Sequence, residues 1–157
     1  MCYELGDLER TRALHEDNVR RARALGNQRM EATSLGALAE YAIREGRVSD
    51  ALPMLKEGTR IYRHLGERQE IAVNLCRLAR ALAVEGRAGT AARLLSTSQA
   101  LREEIGASVP SWVADLNEET LTAVRTQLDD AAFAEAWEHG RKLTVDDAIA
   151  LALESLE

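Results

Sequence analysis

No apolar run of membrane length and no signal-peptide pattern occur in these 157 residues, which predicts a soluble cytoplasmic protein with no membrane partner. Cysteine is scarce. Cys2 and Cys76 lie far apart in sequence and read as reduced thiols; Cys76 falls on the non-core side of its helix, where a reactive thiol is the alternative. His15, His64 and His139 are scattered without metal-ligand spacing, so no metal is expected. His64 and His139 each precede a glycine, where an imidazole near a helix C-terminus complements the dipole. Gly86-Arg87-Ala88-Gly89-Thr90 has the glycines of a phosphate loop but neither its lysine nor a preceding strand. Asp146-Asp147 suits the first turn of a helix. No nucleophile–base arrangement stands out, so the expectation is a protein that is not an enzyme and carries no catalytic residue and no cofactor.

A one-signed basic surface is lacking too. Residues 107–157 hold eleven acids against three bases, while the whole chain has a net charge of −6. Arg20, Arg21, Arg23 and Arg29 cluster, but Glu16, Asp17 and Glu31 flank them, which argues for a solvated helix end and against direct nucleic-acid binding.

What the chain does have is a period. Glycines recur in two ladders stepping by forty residues: Gly6, Gly46, Gly86 and Gly26, Gly66, Gly106. Shifting residues 27–66 onto 67–106 gives ten identities in forty positions. They include Ala32/Ala72, Leu35/Leu75, Leu38/Leu78, Ala39/Ala79, Ala51/Ala91, Leu55/Leu95 and the Glu-Gly-Arg turns at 45–47 and 85–87. Self-similarity at this period predicts a solenoid of two-helix units in one compact array.

Each unit reads as helix A, a tight turn and helix B. Helix A buries Ala32, Leu35, Leu38, Ala39 and Ala42, repeated as Ala72, Leu75, Leu78, Ala79 and Leu82. Helix B buries Ala51, Leu55, Gly58, Tyr62 and Leu65, answered by Ala91, Leu95, Ser98 and Ile105. Small residues at 39, 58, 79 and 98 mark close helix approach. Gly58 sits inside a helix at a propensity cost of about 1 kcal/mol, which a packing requirement would explain. Pro53 is placed near the start of its helix, where a missing N–H matters least.

Leu35, Leu38, Ala39, Gly46, Ala51, Leu55, Gly58 and the matching Leu75, Leu78, Ala79, Gly86, Ala91, Leu95, Ser98 resemble the tetratricopeptide repeat. The resemblance implies an all-α fold, a right-handed superhelix of antiparallel helix pairs. It covers about residues 4–106: a partial repeat at 1–26 and full repeats at 27–66 and 67–106. The period is forty where the family has thirty-four, and the first-position Trp and the closing Pro are missing.

The ends differ from the middle. Met1–Leu5 reads as the last turn of a helix A, with Gly6-Asp7 as the turn, so the chain is expected to start inside a repeat as the tail of a longer protein. A first repeat lacking helix A is the alternative. Tyr3, Leu5, Leu8 and Leu14 would then line an uncapped apolar end. Past Gly106 the period breaks and residues 107–157 read as a helical cap of the same domain. Its parts are a helix over 111–127 with a Trp112, Leu116, Thr120, Val124, Leu128 stripe, a helix over 129–139 with Phe133 and Trp137 in the core and Gly140 as its stop, and a last helix capped by Thr144, with Ile149, Ala152, Leu153 and Leu156 apolar.

Phe133, Trp137, Gly140, Leu143, Asp147, Ala148 and Ala152 are similar to the extreme C-terminus of large bacterial regulators of the signal-transduction ATPase class, many with LuxR-type DNA-binding domains. Asp129 stands where glycine is common there. The resemblance implies a sensor or autoinhibitory arm whose ATPase and DNA-binding parts lie outside this chain.

The expected function is therefore a protein-interaction or sensor module. Its concave face would be made by the A helices, with Thr33, Gly36, Ala37, Glu40 and Arg44 joined by Val73, Cys76, Arg77, Arg80 and Val84. Small residues among arginines suit an extended segment carrying a carboxylate. The partner would be a protein or peptide, including an upstream domain of the same polypeptide. A structural module forming a homodimer through its uncapped N-terminal end is the alternative.

Overall fold

A computed structural model describes residues 5–154, and every element among them is helical, with no strand. The order is α1 (Leu5–Leu25), α2 (Gln28–Arg44), α3 (Val48–Leu65), α4 (Arg68–Val84), α5 (Ala88–Ile105), α6 (Ser111–Gln127), α7 (Asp130–Lys142) and α8 (Val145–Glu154). The chain divides into two compact units, one through Leu65 and one from Gly66 onward, so the division falls where the two full repeats meet.

In the first unit α2 packs against α1 on one side and α3 on the other. Val19 of α1 meets Leu35 and Leu38 of α2, and Met54 and Ile61 of α3 close the cluster. The turn between α2 and α3 follows from Gly46, whose φ of 76° lies where a side chain would be strained. It lets the Arg47 N–H donate to the Ala42 carbonyl at 2.8 Å, the closing bond of a glycine-capped helix end. The second unit repeats this at Gly86 (φ 81°), where the Arg87 N–H donates to the Leu82 carbonyl, also at 2.8 Å.

In the second unit α5 is the hub: α4, α6, α7 and α8 all pack on it. The expected A-helix cores are buried at all ten positions, from Ala32, Leu35, Leu38, Ala39 and Ala42 to Ala72, Leu75, Leu78, Ala79 and Leu82. Gly58 and Ser98 are buried as well. Leu65, assigned to the buried side of its helix, is instead 40% exposed, because it ends α3 beside the Gly66 turn. Pro53 lies in the second turn of α3, exposed, so its missing N–H leaves the carbonyl four residues back without a helical partner.

Several end assignments change. Gly6 is not a turn: α1 runs through it from Leu5, and Gly6 is absent from the positive-φ glycines. Asp7 stands where the repeats have Arg47 and Arg87, and a carboxylate in a first turn favours a helix start. Of the expected preceding helix, Met1–Glu4 lie outside the described residues, as do Tyr3 and the Leu5 side chain. Leu14 is 58% exposed and Leu8 half-buried.

Gly140 does not stop α7. It is buried inside the helix, where a Cβ would collide with the Arg93 carbonyl oxygen and lie 2.8 Å from Arg93 Cα. The glycine allows α7 to cross α5 at backbone contact. Ser96 Oγ donates to the Trp137 carbonyl (2.5 Å) and Thr97 Oγ1 to the Gly140 carbonyl (2.7 Å), which ties the crossing. The buried face of α7 is consequently Ala136 and Gly140. Phe133 and Trp137, placed in the core from their spacing, are half-buried and stack on each other at 5.6 Å. Of the expected α6 stripe Thr120 and Val124 are buried, whereas Trp112 is 42% exposed and Val113 beside it is buried in its place. Asp129 caps α7 by accepting from Ala132 N–H, and Thr144 caps α8 by accepting from Asp147 N–H. Ala148, Ile149 and Ala152 are buried in α8; Leu156 lies outside the described residues.

Candidate functional site

Helix α2 brings Ala37, Glu40 and Arg44 onto one stripe at spacings of three and four. With Leu8 and Thr11 of α1 and Tyr41 they line a cleft of about 420 Å³ within the first unit. Arg44 donates to Glu40 at 3.0 Å and is otherwise open, its side chain 69% exposed. The cleft therefore offers a solvent-facing guanidinium, a carboxylate, two hydroxyls and the Leu8 side chain. Thr33, exposed on the same stripe, and Gly36 do not line this cleft. Thr33 Oγ1 bonds the hydroxyl of the buried Tyr62 at 3.0 Å, and Gly36 is buried.

The residues expected on α4 mostly face a helix of the same unit. Val73 is buried. Arg77 stacks its guanidinium 5.0 Å from the Trp112 ring centre and donates to Asn74 at 3.1 Å. Arg80 pairs with Glu119 at 3.5 Å, and Gln127 donates to the Ala83 carbonyl at 3.0 Å. Trp112, Glu119 and Gln127 all belong to α6, which lies along α4. Val84, at the end of α4, remains 50% exposed.

Cys76 is corrected most. It is fully buried, not on an open face, because α5 and α6 both cover that side of α4. Ser98 Oγ spends its proton on the Ala72 carbonyl at 2.7 Å, so at 3.1 Å the thiol is the donor to Ser98. Burial pushes the thiol up from its ordinary value, against smaller opposing effects of Ser98, Arg102 and Asn117, which leaves it protonated and inert at neutral pH.

The arginine cluster on α1 is neutralised locally. Arg20 and Arg21 pair with Asp17, and Arg23 bridges Glu31 and Glu57. Hydrogen bonding to Glu31 is the main cause of the raised Arg23 value. Among the described residues no group of three His, Cys, Asp or Glu is placed to hold a metal ion, and no helix is long and apolar enough to cross a membrane.

Sequence reasoning missed a polar feature in the second unit. Arg102, at a helix-B position, is only 8% exposed, and its Nε and Nη1 have no acceptor. The buried Asn117 Oδ1 on α6 has no donor. Other parts of these two residues line an open cleft of about 450 Å³ formed by α5, residues 106–109 and α6, while the unpartnered atoms lie buried beneath it and both side chains act on the Cys76 thiol. The available signal was the repeat itself, since Arg102 falls where the first repeat has Tyr62.

Comparison with protein-family models, with curated proteins and with solved structures finds no match to this chain.

Proposed function

We propose that this protein is a non-catalytic protein-interaction module, a tetratricopeptide-like right-handed superhelix serving as the C-terminal sensor arm of a larger cytoplasmic bacterial regulator. The forty-residue repeat, with the same glycine turn and the same alanine–leucine core in both copies, carries the reading. Repeat hairpins of this kind build recognition surfaces from side chains that the core does not need. The α1/α2 cleft is the surface assigned to the partner, with Arg44 for a carboxylate and Leu8 for an apolar side chain. The partner it suits is an acidic protein segment with interspersed leucines, including one from an upstream domain of the same polypeptide.

The test is fluorescence anisotropy of the purified chain against a fluorescein-labelled peptide alternating glutamate and leucine. Binding should weaken about tenfold or more in Arg44→Glu, the worth of a charge-assisted hydrogen bond. Undiminished affinity in that variant removes the cleft from the proposal.

Self-association is the second reading, favoured by Leu25 and Leu14, which α1 leaves 80% and 58% exposed. Sedimentation of the parent and of Leu14→Glu/Leu25→Glu decides it: a dimer lost on substitution supports it, and a parent that is monomeric at all concentrations ends it.

A further inference from the structure

The forty-residue register that pairs α3 with α5 extends to α1. Leu14, Asn18 and Leu25 stand where α3 has Met54, Gly58 and Leu65 and α5 has Leu94, Ser98 and Ile105. In α5 this side is closed by α4: Leu94 and Ser98 have no exposure, and Ser98 bonds the Ala72 carbonyl and the Cys76 thiol. In α3 it is closed by α2: Gly58 is buried, and Met54 packs with Leu35 and Leu38. Each of these helices is covered there by the helix that precedes it in the chain. In α1 the same side is open. Among the described residues α1 packs chiefly on α2, through Val19. Leu14 and Leu25 lie roughly 120–140° round the helix from Val19 and are largely exposed.

We propose that this face of α1 docks an amphipathic helix of a partner protein, one with the alanine and leucine spacing of α4. The partner helix lies on α1 as α4 lies on α5. Its leucines close over Leu14 and Leu25, and its small residues pass over Asn18, whose amide donates to a backbone carbonyl as Ser98 does to Ala72. The stripe itself selects against a second copy of α1 as the occupant. Arg10, Leu14, Arg21 and Leu25 follow one another at spacings of four, seven and four. Two α1 helices paired antiparallel about the middle of that stripe set Arg21 against Leu14 and Arg10 against Leu25. Paired parallel, they set arginine against arginine. This face is separate from the cleft between α1 and α2, and the proposal does not depend on the role given to that cleft.

Titration of the full chain with a fluorescein-labelled peptide of the α4 sequence, residues 68–85, and with a scrambled peptide of the same composition tests this. The α4 peptide should bind saturably, one per chain, and more tightly than the scrambled one. Leu14→Glu/Leu25→Glu should weaken it about tenfold or more, because each glutamate puts a charge into an apolar contact. Both side chains are exposed, so the fold does not rest on them. Arg44→Glu should leave the affinity unchanged, which separates this face from the α1/α2 cleft. The proposal is overturned by the absence of saturable binding, by equal binding of the scrambled peptide, by unchanged affinity in Leu14→Glu/Leu25→Glu, or by loss of affinity in Arg44→Glu. A parent dimer that dissolves on Leu14→Glu/Leu25→Glu in sedimentation also overturns it, and assigns the face to a second copy.

Discussion

The two hairpins, α2–α3 and α4–α5, share their turns and leucine positions yet solve the same contacts with different chemistry. Where the first places Gly36 and Gly58, the second places Cys76 and Ser98, and fills the space with a thiol and a hydroxyl that bond each other and the Ala72 carbonyl. Lys56 and Glu57 of the first become Ser96 and Thr97 of the second, and these two hydroxyls hold α7. Glu40 and Arg44, paired along one helix, become Arg80 and Val84, and Arg80 takes its partner from α6. The repeat frame thus fixes turns and core, while the remaining positions record what each copy packs against.

The largest effect that would sharpen this contrast lies in the core. Leu78, with no exposure, and Leu38, 7% exposed, are equivalent residues. Truncation to alanine should cost about 2–5 kcal/mol at either, with Leu78→Ala the more severe. Urea titrations followed by circular dichroism measure both. A milder Leu78→Ala would show that the second hairpin is not the more tightly buried copy.

Next in size is Gly140→Ala, which probes an element confined to the second unit. Two of the atoms the new methyl would meet belong to the Arg93 backbone, so α7 must lift from α5. The expected cost is about 1–3 kcal/mol, partly offset by about 1 kcal/mol of helix propensity. A net gain in denaturant midpoint would mean that the crossing yields without loss.

These same positions show what the sequence could and could not reveal. Periodicity located the glycine turns at 26, 46, 66, 86 and 106 between helices α1 to α6, and the buried A-helix face completely, because a repeat presents each signal twice. Spacing alone misled in α7, where Phe133 and Trp137 share a stripe but the closest approach to α5 needs the smallest residues, Ala136 and Gly140. The small hydroxyls Ser96 and Thr97 in place of Lys56 and Glu57 were the legible sign that something docks there. The exposure of Cys76, Arg77 and Arg80 could not be judged from their own helix, because α6, more than thirty residues on, contacts that face. For the candidate site, Ala37, Glu40 and Arg44 were placed together on α2, but their neighbours Leu8 and Thr11 come from α1, whose start had been assigned to a turn.

A smaller effect, opposite in sign in the two copies, tests the Tyr62/Arg102 equivalence. Tyr62→Phe should destabilise by about 1 kcal/mol, since it removes a buried hydroxyl from its Thr33 partner. Arg102→Met should be neutral or stabilising by about 1 kcal/mol, because it removes a buried guanidinium whose Nε and Nη1 have no acceptor while keeping the length of the side chain. Thermal or urea midpoints of the two variants give the signs directly. Destabilisation by Arg102→Met comparable with Tyr62→Phe would mean that the guanidinium is already satisfied by water.

The smallest effects are expected on the surface pairs that replace one another across the repeat. Arg44→Ala breaks a bond to Glu40 one helical turn away, with the guanidinium mostly in water. Exposed pairs at this spacing contribute about 0.3–0.5 kcal/mol and are screened by salt. Arg80 is 27% exposed and reaches across to Glu119 of α6, itself 65% exposed, at 3.5 Å. The Arg80–Glu119 contact links two helices instead of two turns of one helix, so its loss should register in how firmly α6 is held. Amide exchange separates the cases better than a melting curve does. Arg44→Ala should leave protection in α2 unchanged beyond its last turn, whereas Arg80→Ala should speed exchange along α6, and raising the salt concentration should reproduce part of that change in the parent. If α6 exchanges identically in the parent and in Arg80→Ala, the helix is held by its buried Val113, Thr120 and Val124 together with the Arg77–Trp112 and Gln127–Ala83 contacts, and the charge inversion from Glu40 to Arg80 has no structural consequence in the second copy.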